Sequence, residues 1–259
     1  LKKPANFEKR PADCWIMSKC NSLVKDVTEN MDKFELGIAL SKIYDFMWDE
    51  FCDWYIEMAK YPIYHADEDQ EAANAALWTL REVLKKSLKL LHPYMPFITE
   101  EIFCTIQNDE ESIMISKWPE YSEDRAFPAE EKAIETIKEA VRGIRNIRTE
   151  MNVAPSRKAS VYVVSENDEI RRIFEEGKLF FASLAYANEI MIQADKTGIA
   201  DDAVSVVIPG ATLYIPFAEL VDIAQEIERL KKEQKRLEGE LARSKGMLSN
   251  ERFLSKAPE

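Results

Sequence analysis

The stretch LLHPYMPFITEEIF, Leu90 to Phe103, decides how the first half of the chain folds. It sets one of the two histidines and two prolines between apolar runs of helical period. Upstream, Leu77, Leu80, Leu84, Leu88 and Leu91 recur at helical spacing. Pro93 disfavours the α conformation at His92, so the pattern predicts a helix that stops there. Pro96 suits the first turn of a following helix, where no backbone donor is lost. Glu100 and Glu101 then fall in the early turns of that helix, where negative charge suits the dipole. A catalytic His92 would need a partner within hydrogen-bond reach. None is evident in the sequence, and the stretch reads as a structural corner.

Working outward, Asp13 is placed to cap a first helix with Ile16, Cys20, Leu23, Val27 and Met31 on one face. A second helix runs through FELGIALSKIYDFMWDEFCDWYIEMAKY to Pro62, with Leu36, Leu40, Ile43, Met47, Trp54 and Met58 as its stripe. Phe46, Phe51, Cys52 and Tyr55 widen that stripe, which predicts a central, largely buried helix. HADEDQE leads into the third helix, and PFITEEIFCTIQ forms the fourth. Four antiparallel helices with short connections make a bundle. ESIMISKWPEYSEDRAFP then reads as an extended crossing that closes it.

From about Ala129 a further helix carries Ile134, Ile137, Val141, Ile144 and Ile147 on its apolar side, with Arg142, Arg145 and Arg148 expected as a ridge on the opposite side. After NVAPSR the period becomes strand-like in KASVYVVS, NEIMIQA, AVSVVIP and ATLYIPF, with helical NDEIRRIFEEGKLFFASLA between the first two. This predicts a small α+β domain. From Leu220 onward, Ile223, Ile227, Leu230, Gln234, Leu237, Leu241, Ser244 and Leu248 alternate four and three apart, the seam of a coiled coil. The fold class expected is therefore mainly α: an antiparallel bundle over 1–128, a small α+β domain over 129–218, and a coiled-coil helix from 219 to 259.

Composition narrows the function. Only 7 glycines disfavour a Gly-rich phosphate loop, and no apolar run reaches the length of a membrane span. Cys14, Cys20, Cys52 and Cys104 form no C-x-x-C pair, which with two histidines makes a zinc site improbable. Cys14, Cys20 and Cys52 sit beside apolar helical positions and read as reduced core residues of a cytoplasmic protein. A net charge of −12 argues against a nonspecific nucleic-acid coat. Against that background Arg142, Arg145, Arg148, Arg157 and Lys158 stand as a basic island with Glu150 as its one acid, the pattern that phosphate contacts require. Paired carboxylates such as Glu100–Glu101 read as solvated surface, and the aromatics of the second helix read as core rather than as base-stacking groups.

Several segments together resemble one family. DCWIMSKCNSLVKDVTE, YDFMWDEFCDWYIEMAK and LLHPYMPFITEEIF are similar to the anticodon-binding bundle of the valyl, isoleucyl and leucyl members of the class I aminoacyl-tRNA synthetases. WDEFCDWYIE, IRNIRTEMNVAPSRK and the ending LSNERFLSKAPE point to the valyl-tRNA synthetase family. The resemblance implies a tRNA-binding C-terminal portion that reads the anticodon arm of tRNA(Val), with the basic island as its expected tRNA contact and a helical hairpin reaching the tRNA at the end. It also implies valine–tRNA ligase activity for the parent enzyme, with ATP and Mg2+ held in a catalytic domain absent here and no cofactor in this portion. The non-Met opening reads as an excised boundary, and the hairpin's second helix is expected to be missing. Ser-Lys in IMSKC and MISKW lacks the surrounding mobile-loop pattern of the class and is expected to have no catalytic role. The alternative is a protein-interaction module that self-associates through its coiled coil and has no RNA role.

Overall fold

The structure is a computed structural model and describes residues 3–4, 10–106, 110–221 and 223–248, with side chains left aside at 223–226 and 247–248. Helix α1 (Pro11–Asp32) starts at a proline in its first turn and buries Ile16, Cys20, Leu23 and Val27. Asp13 does not cap it. Arg10 holds the cap position, and Asp13 points inward, where its Oδ1 accepts a 2.5 Å hydrogen bond from the Tyr55 hydroxyl.

The predicted second helix is one continuous rod in three parts: α2 (Leu36–Asp45), a π-helical segment (Phe46–Ile56) and α3 (Glu57–Tyr64). Pro62 lies inside α3, and the rod ends two residues beyond it. Ile43, Trp54 and Met58 of the expected stripe are buried, as are Phe46, Phe51 and Tyr55 that widen it. A wider turn brings residues five apart into line. Phe46 and Phe51 are buried together, with Trp54 and Tyr55 both inward one turn later. Before the segment, Leu36 and Leu40 are exposed, and Ala39 and Ile43 are the buried residues.

Asp69 caps α4 (Gln70–Leu91) by accepting from the Ala72 amide at 2.8 Å. After the corner, α5 (Pro96–Ile106) begins at its proline as expected. His92 keeps helical dihedrals, φ −53 and ψ −40, although Pro93 follows it. Its amide still donates to Leu88 at 2.9 Å, a bond that favours the α region over the preference imposed by the proline. The crossing segment lies on α1: Asn21 and Ser122 exchange bonds of 2.8 and 3.0 Å, and the Trp118 indole donates to the Thr28 hydroxyl at 2.9 Å.

Helix α6 (Pro128–Glu150) buries Ile134, Ile137, Val141 and Ile144. One side packs on α1 and the other on a four-stranded sheet. The strands are β1 (Ala159–Val164), β2 (Ala187–Gln193), β3 (Val204–Ile208) and β4 (Ala211–Ile215), in spatial order β2-β1-β4-β3. β1 and β2 run parallel, joined by α7 (Asp168–Glu176) and α8 (Lys178–Leu184); the other pairs are antiparallel. Val161, Val163, Leu213 and Val206 make the buried face. Gly143 of α6 lets helix and sheet approach closely, since a Cβ there would stand 2.4 Å from Val206 Cγ1. One hydrophobic core runs from the bundle through α6 into the sheet, so the 128/129 boundary read from the sequence falls on a helix that serves both parts.

A short α9 (Phe217–Leu220) leads to α10 (Ile223–Leu248). Ile227, Leu230, Leu237 and Leu241 are all about half exposed, so the heptad seam lies open along that helix. The side chains of Ile223 and Leu248, and the segment 249–259, lie outside the description.

Candidate nucleic-acid interface

Residues three apart on an α-helix retreat by about 60° per step. That rotation decides the fate of the arginine ridge. Arg142 is exposed, Arg145 is half-buried and Arg148 is buried, so the series turns from the surface into the core rather than forming one solvent-facing ridge. The guanidinium carbons of Arg142 and Arg145 lie 5.2 and 5.6 Å from the centre of the Trp54 ring. Arg145 Nε donates to the Leu184 carbonyl at 2.7 Å. Arg148 donates to the carbonyls of Ala154 and Arg157 at 3.0 and 2.6 Å and lies over the Tyr186 ring. Arg157 in turn donates to the carbonyls of Glu219 and Ala218, at 2.6 and 3.1 Å, tying α9 to the start of β1. These three arginines join segments of the fold. Arg142 and Lys158 remain exposed as the island's solvent-facing cations.

The same stripe of α6 carries a cation the sequence reading passed over. Lys138 is buried, its ammonium 2.5 Å from Glu50 and 2.9 Å from Glu135. It sits over the rings of Trp15 and Trp54, at 4.8 and 5.5 Å from their centres. A buried, doubly paired lysine between two indoles is a joint between bundle and α6.

The opposite end of interest is where the α1–α2 turn meets the His92–Pro93 corner. The Tyr94 hydroxyl donates to the Leu36 carbonyl at 2.8 Å and fastens the two turns together. His92 Nδ1 lies 2.7 Å from the buried Thr99 hydroxyl, which itself donates to the Met95 carbonyl at 2.8 Å. The threonine proton is thereby engaged, so the histidine donates through Nδ1. Its Nε2 faces Met114 Sδ at 3.0 Å. Glu100 accepts from the Ile113 amide at 3.1 Å, and hydrogen bonding, led by Ser112, holds its carboxyl below the usual range. These bonds tie the corner to α5, to the crossing and to the α1–α2 turn.

The surface there is apolar and open. Phe34 is 87% exposed, Phe97 90%, and Met114 and Ile115 72% each, with Leu36, Met95 and Ile98 beside them. Exposed apolar groups gathered in one place mark interaction surfaces rather than accidents of packing. Phe34 adds a second sign. It takes φ 60, the position after a helix end that usually falls to glycine, closed by its amide on Met31 and by that of Glu35 on Asn30. A left-handed conformation costs a non-glycine residue about 1–3 kcal/mol. Packing does not offset that cost for an exposed ring, so strain and exposure together point to use. Exposed flat rings offer stacking platforms for nucleic-acid bases.

Residues 13–163 match the family described as "Anticodon-binding domain of tRNA ligase". The chain belongs to that family. Residues 222–259 match a second description, "Valyl tRNA synthetase tRNA binding arm". The chain is 49% identical over 248 residues to the valine–tRNA ligase of Clostridium tetani, covering 96% of this chain and 28% of the relative. It is 38% identical over 251 residues to that of Bacillus licheniformis, covering 97% of the chain and 28% of the relative. The chain therefore spans little more than a quarter of the length of these relatives.

The open rim is not legible in the sequence because its members are unremarkable there. Phe34, Phe97 and Met114 lie in turns and at helix starts, where no periodicity separates core from surface. The available signal was a phenylalanine where a helix-ending glycine is expected. Among the described residues no group of three or more His, Cys, Asp or Glu gathers as a metal site. No described helix is long and apolar enough to cross a membrane.

Proposed function

We propose that this chain is the tRNA-binding portion of a cytoplasmic valine–tRNA ligase and that it recognises the anticodon arm of tRNA(Val). The observation that carries this reading is the open rim around Phe34 and Phe97, positioned by the Tyr94–Leu36 bond on a chain of the anticodon-binding family. Unpaired loop bases stack on the two rings, at about 1–3 kcal/mol per base. Arg142 and Lys158 contact backbone phosphate, while Arg145, Arg148 and Arg157 hold the elements that carry them. Helix α10 reaches a second part of the tRNA, consistent with the arm description that its residues match. Its open seam pairs with another helix, supplied by the parent enzyme or by a second copy of the chain.

Valine attachment, with ATP and Mg2+, is the work of a catalytic domain outside these 259 residues. The test is binding of an anticodon stem-loop RNA from tRNA(Val) to the chain and to Phe34→Ala and Phe97→Ala. Each substitution is expected to weaken binding about 5- to 100-fold without lowering the thermal midpoint. Unchanged affinity in both variants would remove the rim from recognition.

A further inference from the structure

Between residues 65 and 131 the sequence carries 15 acids and 6 bases, a balance that on its own repels a polyanion. Folding sorts those charges. Lys85, Lys86 and Lys89 of α4 and Lys117 and Arg125 of the crossing line one concavity of about 260 Å³. Five of the six bases of that stretch thus meet in one place.

Three acids, Glu82, Glu110 and Glu120, share the concavity with its five bases. Glu110 pairs with Lys89 at 3.1 Å and Lys85 at 3.5 Å, and Glu82 pairs with Arg81 at 3.6 Å. Among the described residues, Lys86, Lys117 and Arg125 have no carboxylate within ion-pair distance. Beneath them lies Cys20, whose thiol burial pushes up to about 11, so it supplies no countercharge near neutrality. Burial also pushes Lys86 below the usual lysine range, and the positive charge of Arg125 pushes it further, against the opposing pull of Glu82. Five cations against three carboxylates leave the concavity net positive.

Position says which anion. The crossing that brings Lys117 into the concavity also brings Met114 and Ile115 to the open rim. Lys89 lies less than one helical turn before His92, at the corner itself. Apolar platforms and unpaired cations side by side are the arrangement that single-stranded nucleic acid requires, bases on the first and phosphates on the second.

We propose that the Lys86–Lys117–Arg125 concavity is a phosphodiester site that seats backbone phosphates of the RNA whose bases stack on the rim. It rests on the RNA reading above and extends it to residues outside the arginine island. Small phosphate anions share the same chemistry, and the experiment separates the two sources.

Affinity of the 259-residue chain for labelled tRNA(Val) is measured by fluorescence anisotropy over a salt series, for wild type and for Lys117→Ala/Arg125→Ala. Both side chains are exposed, so the double variant keeps its thermal midpoint. Two lost phosphate contacts are expected to flatten the log–log salt slope by about 1.4 to 1.8. Lys117→Arg is expected to keep the wild-type slope. An unchanged slope in the double variant, with Phe34→Ala still weakening binding, overturns the site and leaves the RNA reading standing. A wild-type chain that binds no tRNA overturns both. Amide shifts at Lys117 and Arg125 on adding inorganic phosphate, with an unchanged RNA slope, overturn it in favour of a small-anion site.

Discussion

Asp13 is a carboxylic acid buried where the first helix meets the π segment, and its ionisation sets a pH dependence that one substitution isolates. Burial raises its pKa from 3.8 to about 6, opposed in part by the hydrogen bond from Tyr55 and the charge of Arg10. Tyr55 is itself held well above its ordinary range, first by burial and then by the negative charge of Asp13, so its hydroxyl keeps its proton and donates. The unfolded chain releases the Asp13 proton near pH 3.8, and the folded chain holds it to about pH 6. The folded state therefore binds more protons across that window, and this contribution to stability falls as pH rises through it. A shift of about two units, at about 1.4 kcal/mol each, makes the loss about 3 kcal/mol by neutral pH. Asp13→Asn keeps an oxygen for Tyr55 and cannot ionise. Urea unfolding of both proteins at about pH 4 and pH 7.5 cancels every other carboxylate in the difference between them. The variant's stability relative to wild type is expected to improve by about 2.4 kcal/mol on going to the higher pH, since part of the loss is already present at pH 4. A relative stability constant to within about 0.5 kcal/mol would refute the reasoning, because burial would then not oppose the charge.

Trp54→Ala is expected to cost about 3–5 kcal/mol in urea unfolding, since the buried ring is packed under Lys138, Arg142 and Arg145. Gly143→Ala is expected to destabilise by about 1–3 kcal/mol, because its methyl meets the stiff Val206 side chain. Adding Val206→Ala should make the two changes non-additive, with a favourable coupling in a double-mutant cycle. Arg148→Ala removes the donor from the Ala154 and Arg157 carbonyls and should cost about 1–3 kcal/mol by the same measurement, with Arg148→Lys recovering only part.

Element types were legible in the sequence because long periodic segments carry them: Ile16 to Val27, Ile134 to Ile144, and the alternating strands beginning at Ala159 all lie as their periods require. The second helix was legible as a helix and in most of its buried face, with Leu36 and Leu40 at its start as the exceptions. Its π segment leaves no mark in composition. Asp13 had the residue type of a cap, and only the tertiary position of Tyr55 turned it inward. The arginine island was visible as charge, while its direction depended on a rotation that turned Arg148 onto carbonyls of its own loop. Least legible were the rim and the lysine concavity. Both are assembled from turns and segments distant in sequence, brought together by single bonds such as Tyr94 to Leu36.

The most direct test of the proposed function is the affinity of the chain for tRNA(Val) compared with the same tRNA carrying a replaced anticodon triplet, at one fixed salt concentration. Recognition through stacking at the rim predicts a loss of at least about tenfold on replacing the triplet, with the loss largely abolished in Phe34→Ala. Equal affinity for the two tRNAs in the wild-type chain would contradict it.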